Sequence, residues 1–158
     1  MLPPLIMALF ALSACYSGLP KPPPADIPSH FKELHSRVYG VYALGRDRDA
    51  IYGLLEGSFT GEALTREYVE HYTTIYRMEE EETSIDVRQI DYNGVELLSE
   101  SLGSLRVDAD WSVGGIVTHQ KHKHTRVNRY RAVYTLQPDR AGQWKITATR
   151  MRNLERVQ

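Results

Sequence analysis

Half of this chain's six histidines, His119, His122 and His124, lie within six residues of one another. On an extended strand His122 and His124 share a face, and a turn just before them brings His119 alongside. Three imidazoles are an established ligand set for Zn²⁺, and imidazole also suits Cu²⁺ and Ni²⁺. Lys121 and Lys123 oppose that use, because they place positive charge beside the cation. No Asp or Glu lies nearby in sequence to support the imidazoles from behind. From Trp111 to Pro138 the chain holds five Lys or Arg and no acidic residue. Lys121, Lys123, Arg129 and Arg131 therefore read as a docking surface for an acidic protein, a cell-wall polymer or anionic lipid. The blander reading is a charged sheet edge that resists strand-to-strand association.

A second group follows from strand phase. Leu105, Val107, Ala109, Trp111 and Val113 alternate with Arg106, Asp108, Asp110 and Ser112. Tyr130, Ala132, Tyr134 and Leu136 alternate in the same way, and Arg126 and Asn128 are in phase with them. Trp111, Arg126, Asn128, Tyr130 and Tyr134 are thus expected to line a pocket, faced by Tyr68, Tyr72 and Tyr76 from a helix. Such a pocket suits a small ligand. A catalytic base is not evident in it: Asp108 and Asp110 fall on the face opposite Trp111, and His35 and His71 read as packed or surface helix residues. There is no Gly-rich phosphate loop and no serine nucleophile motif. A binding role is favoured over catalysis.

The elements that position these residues change character along the chain. Ser29 after Pro28 is the expected N-cap of a first helix through Phe31, Leu34, His35, Val38, Tyr39 and Tyr42, ending at Gly45. Asp47 or Asp49 caps a short second helix that Gly57 closes. A third starts at Thr60-Gly61-Glu62 and runs into Glu79–Glu82, where four acids oppose the helix dipole and fraying is expected. From Thr83 the period becomes that of strands. A phase slip is expected at Arg88-Gln89, a turn at Asn93-Gly94, a bulge or bend at Gly114-Gly115, a turn within residues 120–123, and a last strand opening with Trp144, Ile146 and Ala148 on one face. Helices followed by a long antiparallel meander make the domain α+β.

Length and composition set the frame. The chain has 158 residues, 42% apolar and 25% charged, enough for one domain with a real core. Its net charge of −1 argues against nucleic acid as a partner. The single cysteine excludes an internal disulfide. Residues 1–14 are almost wholly apolar and too short to span a bilayer, so they read as a signal peptide. They end in Leu12-Ser13-Ala14-Cys15, which resembles the lipobox of bacterial lipoproteins. That resemblance implies acylation of Cys15 and anchorage in the cell envelope. Tyr16 after the Cys implies the outer membrane, facing the periplasm, in a Gram-negative cell. Residues 15–28 carry Pro20, Pro22, Pro23, Pro24 and Pro28 and read as an extended tether. The α+β domain is expected over 29–158.

The element order, about three N-terminal helices on a curved antiparallel sheet of about four long strands, resembles the NTF2-like or SnoaL-like cone. The resemblance implies a hollow between helices and sheet, and in catalytic members an isomerase or dehydratase. The run His119-x-x-His122-x-His124-x-Arg126-x-Asn128-x-Tyr130, with Trp144-Lys145-Ile146, also looks like a segment of exported or membrane-associated bacterial domains.

Overall fold

The chain's helical and extended halves pack face to face. The computed structural model describes residues 21–120 and 122–157. Signal peptide, lipobox, Cys15 and Lys121 lie outside the described residues. Helix α1 spans Ile27–Arg37, followed by a 3-10 helix at Val38–Ala43; α2 spans Arg48–Glu56 and α3 Gly61–Glu80. The sheet consists of β1 (Thr83–Ser101), β2 (Ser104–His119), β3 (His122–Pro138) and β4 (Trp144–Arg156), an antiparallel meander in the order β1-β2-β3-β4. The fold is α+β, three helices against one open four-stranded sheet. Among the described residues no helix is long and apolar enough to cross a membrane.

Local chemistry explains the helix ends, with some shifts from expectation. The cap of α1 is Asp26, not Ser29: the Asp26 carboxylate accepts from both the Ser29 amide and its hydroxyl, at 2.9 and 2.7 Å. A carboxylate three residues earlier takes up an orphan donor of the first turn, so the helix starts before Pro28. Asp47 caps α2 through the Ala50 amide. Gly40 falls inside the 3-10 segment and Gly45 adopts φ 57° after it. The acidic end of α3 is clasped. Arg46 ion-pairs with Glu79 and Glu80 and lies over the Tyr76 ring, supplying the counter-charge that was missing from the local sequence.

In the sheet, Arg88 is the bulged residue, since Val87 pairs with Gly115 and Gln89 with Gly114. The expected Gly114-Gly115 irregularity therefore sits on the opposite strand, and β2 itself runs through. Asn93-Gly94 is a second bulge and not a turn. Its strand continues to Ser101, and the Asn93 amide reaches across to Asp110 and Ser112. Gly115 is needed for a close approach: a Cβ there would meet the Asp86 carbonyl oxygen at 2.7 Å. Gly115→Ala is expected to cost about 1–3 kcal/mol in urea unfolding, because one backbone must move off the other. An unchanged midpoint would show that the bulge relaxes freely.

The core lies between the helices and the inner sheet face. Phe31, Val41, Ile51, Leu55 and Phe59 meet Leu105, Val107, Ala109, Trp111, Tyr134, Leu136 and Ile146 there. Phe59 also makes an isolated parallel bridge with Ile146, so the helical half contributes a single point of pairing to the outer edge of β4. The tether segment is not wholly detached from the fold, since the Trp144 indole donates to the Pro22 carbonyl at 3.0 Å.

Candidate functional site

Among the described residues, cavities on the inner face include two that meet at Tyr130. They are set by how aromatic residues fill the space between them. Trp111, 2% exposed, stacks on Tyr130 with ring centroids 5.3 Å apart and donates its indole N–H to the Tyr39 hydroxyl at 2.6 Å. Tyr134 is buried below. The five residues expected to line one pocket are shared between two cavities: Trp111, Tyr130 and Tyr134 line the larger, and Arg126 and Asn128, again with Tyr130, line the smaller, because the rings at the paired positions Trp111 and Tyr130 interlock across the pleat.

Beside these rings, towards the 119–122 turn, lies a cavity of about 180 Å³. Arg126, Asn128 and Tyr130 line it with Tyr42, Ile85 and Val87. The three polar groups form a chain: Arg126 Nε donates to Asn128 Oδ1 at 3.2 Å, and Asn128 Nδ2 donates to the Tyr130 hydroxyl at 3.0 Å. Arg126 and Asn128 share the Tyr130 face, as strand phase required. His119 pairs with His122 across a two-residue turn, and the His119 and His124 rings stack 5.3 Å apart. Thr83 Oγ1 is 3.1 Å from His119 Nδ1. Among the described residues no three His, Cys, Asp or Glu side chains are grouped to hold a metal ion.

The described docking cations, Lys123, Arg129 and Arg131, share the outer face of β3, opposite to Arg126, and Lys121 lies outside the described residues. Arg129 and Arg131 project from the outer face, where each makes a two-bonded pair with a β2 carboxylate: Arg129 with Asp110 at 3.0 and 2.7 Å, Arg131 with Asp108 at 3.2 and 3.0 Å. Arg152 also approaches Asp108, at 3.5 Å. Two of the four cations read as a docking surface are thus paired with carboxylates. The segment is acid-free only along the chain, and β2 supplies its carboxylates across the sheet. Arg129 holds the Asp110 carboxyl below its ordinary range. Lys123 is exposed and, among the described residues, makes no ion pair.

The larger cavity, about 450 Å³, lies on the far side of Tyr130, between α3 and β3–β4. Its polar residues were not identified from sequence. Glu67 lines it with a side chain 15% exposed. His71 Nε2 is 3.7 Å from one carboxylate oxygen and Arg66 3.9 Å from the other, both beyond hydrogen-bond reach. Burial first, and the neighbouring Glu70 second, push the Glu67 pKa up to about 7. Burial pulls His71 below its ordinary value. Thr149 Oγ1, also in the lining, is buried with no hydrogen-bond partner. The signal for Glu67 was present: Leu64, Glu67, His71 and Ile75 recur at three- and four-residue spacing, a single helical face. The tyrosines mark a different face. Tyr68 packs edge-on to Tyr52 of α2, Tyr72 receives Arg48 Nε at 3.1 Å, and Tyr76 is exposed, so this stripe turns to the helices rather than to the pocket. Thr149 was hidden by a bulge between Thr135 and Leu136 that shifts β4 by one residue, which leaves Ala148 exposed and turns Thr149 inward.

His35 is packed, as expected of it. Its ring nitrogens meet the Tyr92 and Tyr134 hydroxyls at 2.8 and 3.1 Å, and burial lowers its pKa to about 3.

No family model matches the chain, and no curated protein matches it. Solved structures that it resembles include the intermembrane space region of the chloroplast protein ARC6, at TM-score 0.54 and 16% identity, over 82% of this chain and 98% of that one. At that identity the likeness shows the fold alone.

Proposed function

We propose that this chain is a lipid-anchored cell-envelope protein with an NTF2-like domain. It acts by binding, and its His-rich hairpin docks an acidic protein or polymer. The observation that carries this reading is the inner face of the hairpin end. His119, His122, His124 and Arg126 lie in line there, and among the described residues none of them pairs with a carboxylate. The small cavity behind Arg126 offers a guanidinium, an amide and a phenol to an incoming carboxylate or phosphate. Arg129 and Arg131, already paired, serve the sheet, and the docking role passes to Arg126, the histidines, Lys121 and Lys123.

The geometry also favours one location for the partner. The tether meets the domain at Trp144, beside the β3–β4 turn, whereas the hairpin turn lies at the opposite end of the strands. The 16 residues of β2 separate these ends by about 50 Å. A domain anchored through Cys15 presents the hairpin away from its own membrane, to the envelope space or wall.

The test is co-sedimentation of the chain with purified cell-wall polymer and with anionic vesicles. Arg126→Glu is expected to reduce polymer binding by about tenfold or more at low salt, and raising ionic strength should do the same to the parent chain. Arg129→Glu is expected to have a smaller effect on binding, because Asp110 already neutralises Arg129. Equal binding by parent and Arg126→Glu chains, or vesicle binding without polymer binding, would reject the reading. A metal role for His119, His122 and His124 is separable by titrating Zn²⁺, Cu²⁺ and Ni²⁺ in the same assay.

A further inference from the structure

We propose that the cavity between α3 and the inner face of β3–β4 binds a small organic cation, an ammonium head on an apolar body, with Glu67 as its counter-ion. The site is distinct from the hairpin and opposite in charge preference.

Three observations converge on that chemistry. First, Glu67 projects into a cavity of about 450 Å³ and is largely enclosed, yet neither Arg66 nor the His71 imidazole is within hydrogen-bond reach of it. A carboxylate withdrawn from water without a full set of partners is held at a cost, and a cationic ligand removes that cost. Second, the acceptors match the donors of a primary ammonium in number. The Glu67 carboxylate, neutral His71 and the unpartnered Thr149 Oγ1 line one cavity, and an ammonium carries three N–H groups. Third, the walls and mouth suit an apolar body. The Trp111–Tyr130 stack and Tyr42 present ring faces and edges, and Met151 and Leu154, 52% and 61% exposed, form an apolar rim. Aromatic faces favour cations over neutral groups of the same shape.

Other ligand classes fit less well. An anion meets Glu67 together with Glu70. A neutral alcohol leaves the carboxylate without a counter-charge. For a bare metal ion, the described residues offer no group of three protein ligands.

The site is also pH-gated. The charged groups facing Glu67 on its own helix are Arg66, Glu70 and His71. The 3-10 helix contributes Tyr39 and Tyr42, β3 contributes Tyr130 and Tyr134, α1 contributes His35 beneath, and β4 contributes none. The tyrosines stay protonated and His35 stays neutral over pH 5.5–8, since burial raises the Tyr42 pKa to about 12 and lowers that of His35 to about 3. Glu67, raised to about 7, changes charge within that range.

The experiment is calorimetric titration of the full chain with 2-phenylethylamine and hexylamine, and with 2-phenylethanol and hexanol as neutral isosteres. The amines are expected to bind at least ~10-fold tighter than the alcohols at pH 8, and to lose about 30-fold in affinity by pH 5.5 as Glu67 protonates. Glu67→Gln, close in volume, should abolish the preference for amines. Thr149→Val tests the site independently and should weaken the amines by ~3-fold or more without affecting the alcohols. Failure of both amines to bind at about 10 mM, equal affinity for amine and alcohol, or an undiminished preference in Glu67→Gln overturns the proposal. Polymer binding at the hairpin should be unaffected by either variant, so the two sites stand or fall separately.

Discussion

Glu67→Gln is expected to expose an acid sensitivity that the parent chain conceals. In the variant, stability should fall by at least about 1.4 kcal/mol per pH unit from pH 6.5 to 4.5, whereas in the parent Glu67 should cancel about that much of the fall over the same window. Two buried groups of opposite sign produce this. His35 has a folded pKa of about 3 against an ordinary 6.5. Its depressed value means that the unfolded chain takes up the proton first, so its contribution is full above pH 6.5 and is lost as pH falls towards 3. Glu67 has a folded pKa of about 7 against an ordinary 4.5. Its raised value means that the folded chain takes up the proton first, so acidification from pH 7 to 4.5 favours folding. Between pH 6.5 and 4.5 the two slopes oppose each other. Below 4.5 the loss from His35 continues, joined by losses from carboxyls such as Asp110 that their partners hold below the ordinary value. His71, also depressed by burial, adds to the loss.

Removing the Glu67 charge leaves the His35 slope uncompensated, and its full extent down to pH 3 is roughly 5 kcal/mol. That is a large part of the stability of a domain this size. Urea midpoints at half-unit pH steps measure it. Parallel curves for parent and variant would show that the two burial effects do not oppose each other as described.

Trp111→Ala is expected to destabilise the fold by about 3–5 kcal/mol. The indole sits at the centre of the inner face, stacked on Tyr130, edge-on to His35 at 4.5 Å, and bonded to the Tyr39 hydroxyl at 2.6 Å. Truncation removes the transfer free energy of the largest core side chain and opens a void that the paired strands cannot close by moving together. It also leaves the buried Tyr39 hydroxyl without its donor. Trp111→Phe keeps most of the ring volume and should cost about 1–2 kcal/mol, the part owed to the indole N–H and the lost edge. Trp144 remains as a fluorescent reporter of unfolding for both.

The inner and outer faces of β2 and β3 were legible from alternation alone. Every second residue from Leu105 to Val113 and from Arg126 to Leu136 occupies the face assigned to it, because a pleated strand has no other way to orient side chains. The capping role of Asp47 and the closing role of Gly57 were equally local. Bulges were harder. Asn93-Gly94 carries the dipeptide of a tight turn, yet β2 is long enough to keep β1 paired through it, and cross-strand hydrogen bonds outweigh a two-residue preference. The one-residue slip in β4 moved Thr149 into the interior and Ala148 out of it, for the same reason.

The amino-acid order determined the element types, the sheet face of each β2 and β3 side chain, and the placement of imidazole and guanidinium at one end of a hairpin. These depend on near-neighbour geometry and repeat every two or four residues. Tertiary structure alone decided which charges are neutralised and which hollow stays open. Asp108 and Asp110 reach Arg131 and Arg129 from another strand, and Glu67 becomes a largely enclosed carboxylate only when α3 lies across β3 and β4. Burial and pairing are properties of partners distant in sequence, and in low-dielectric surroundings those partners outweigh everything a charge meets along its own segment.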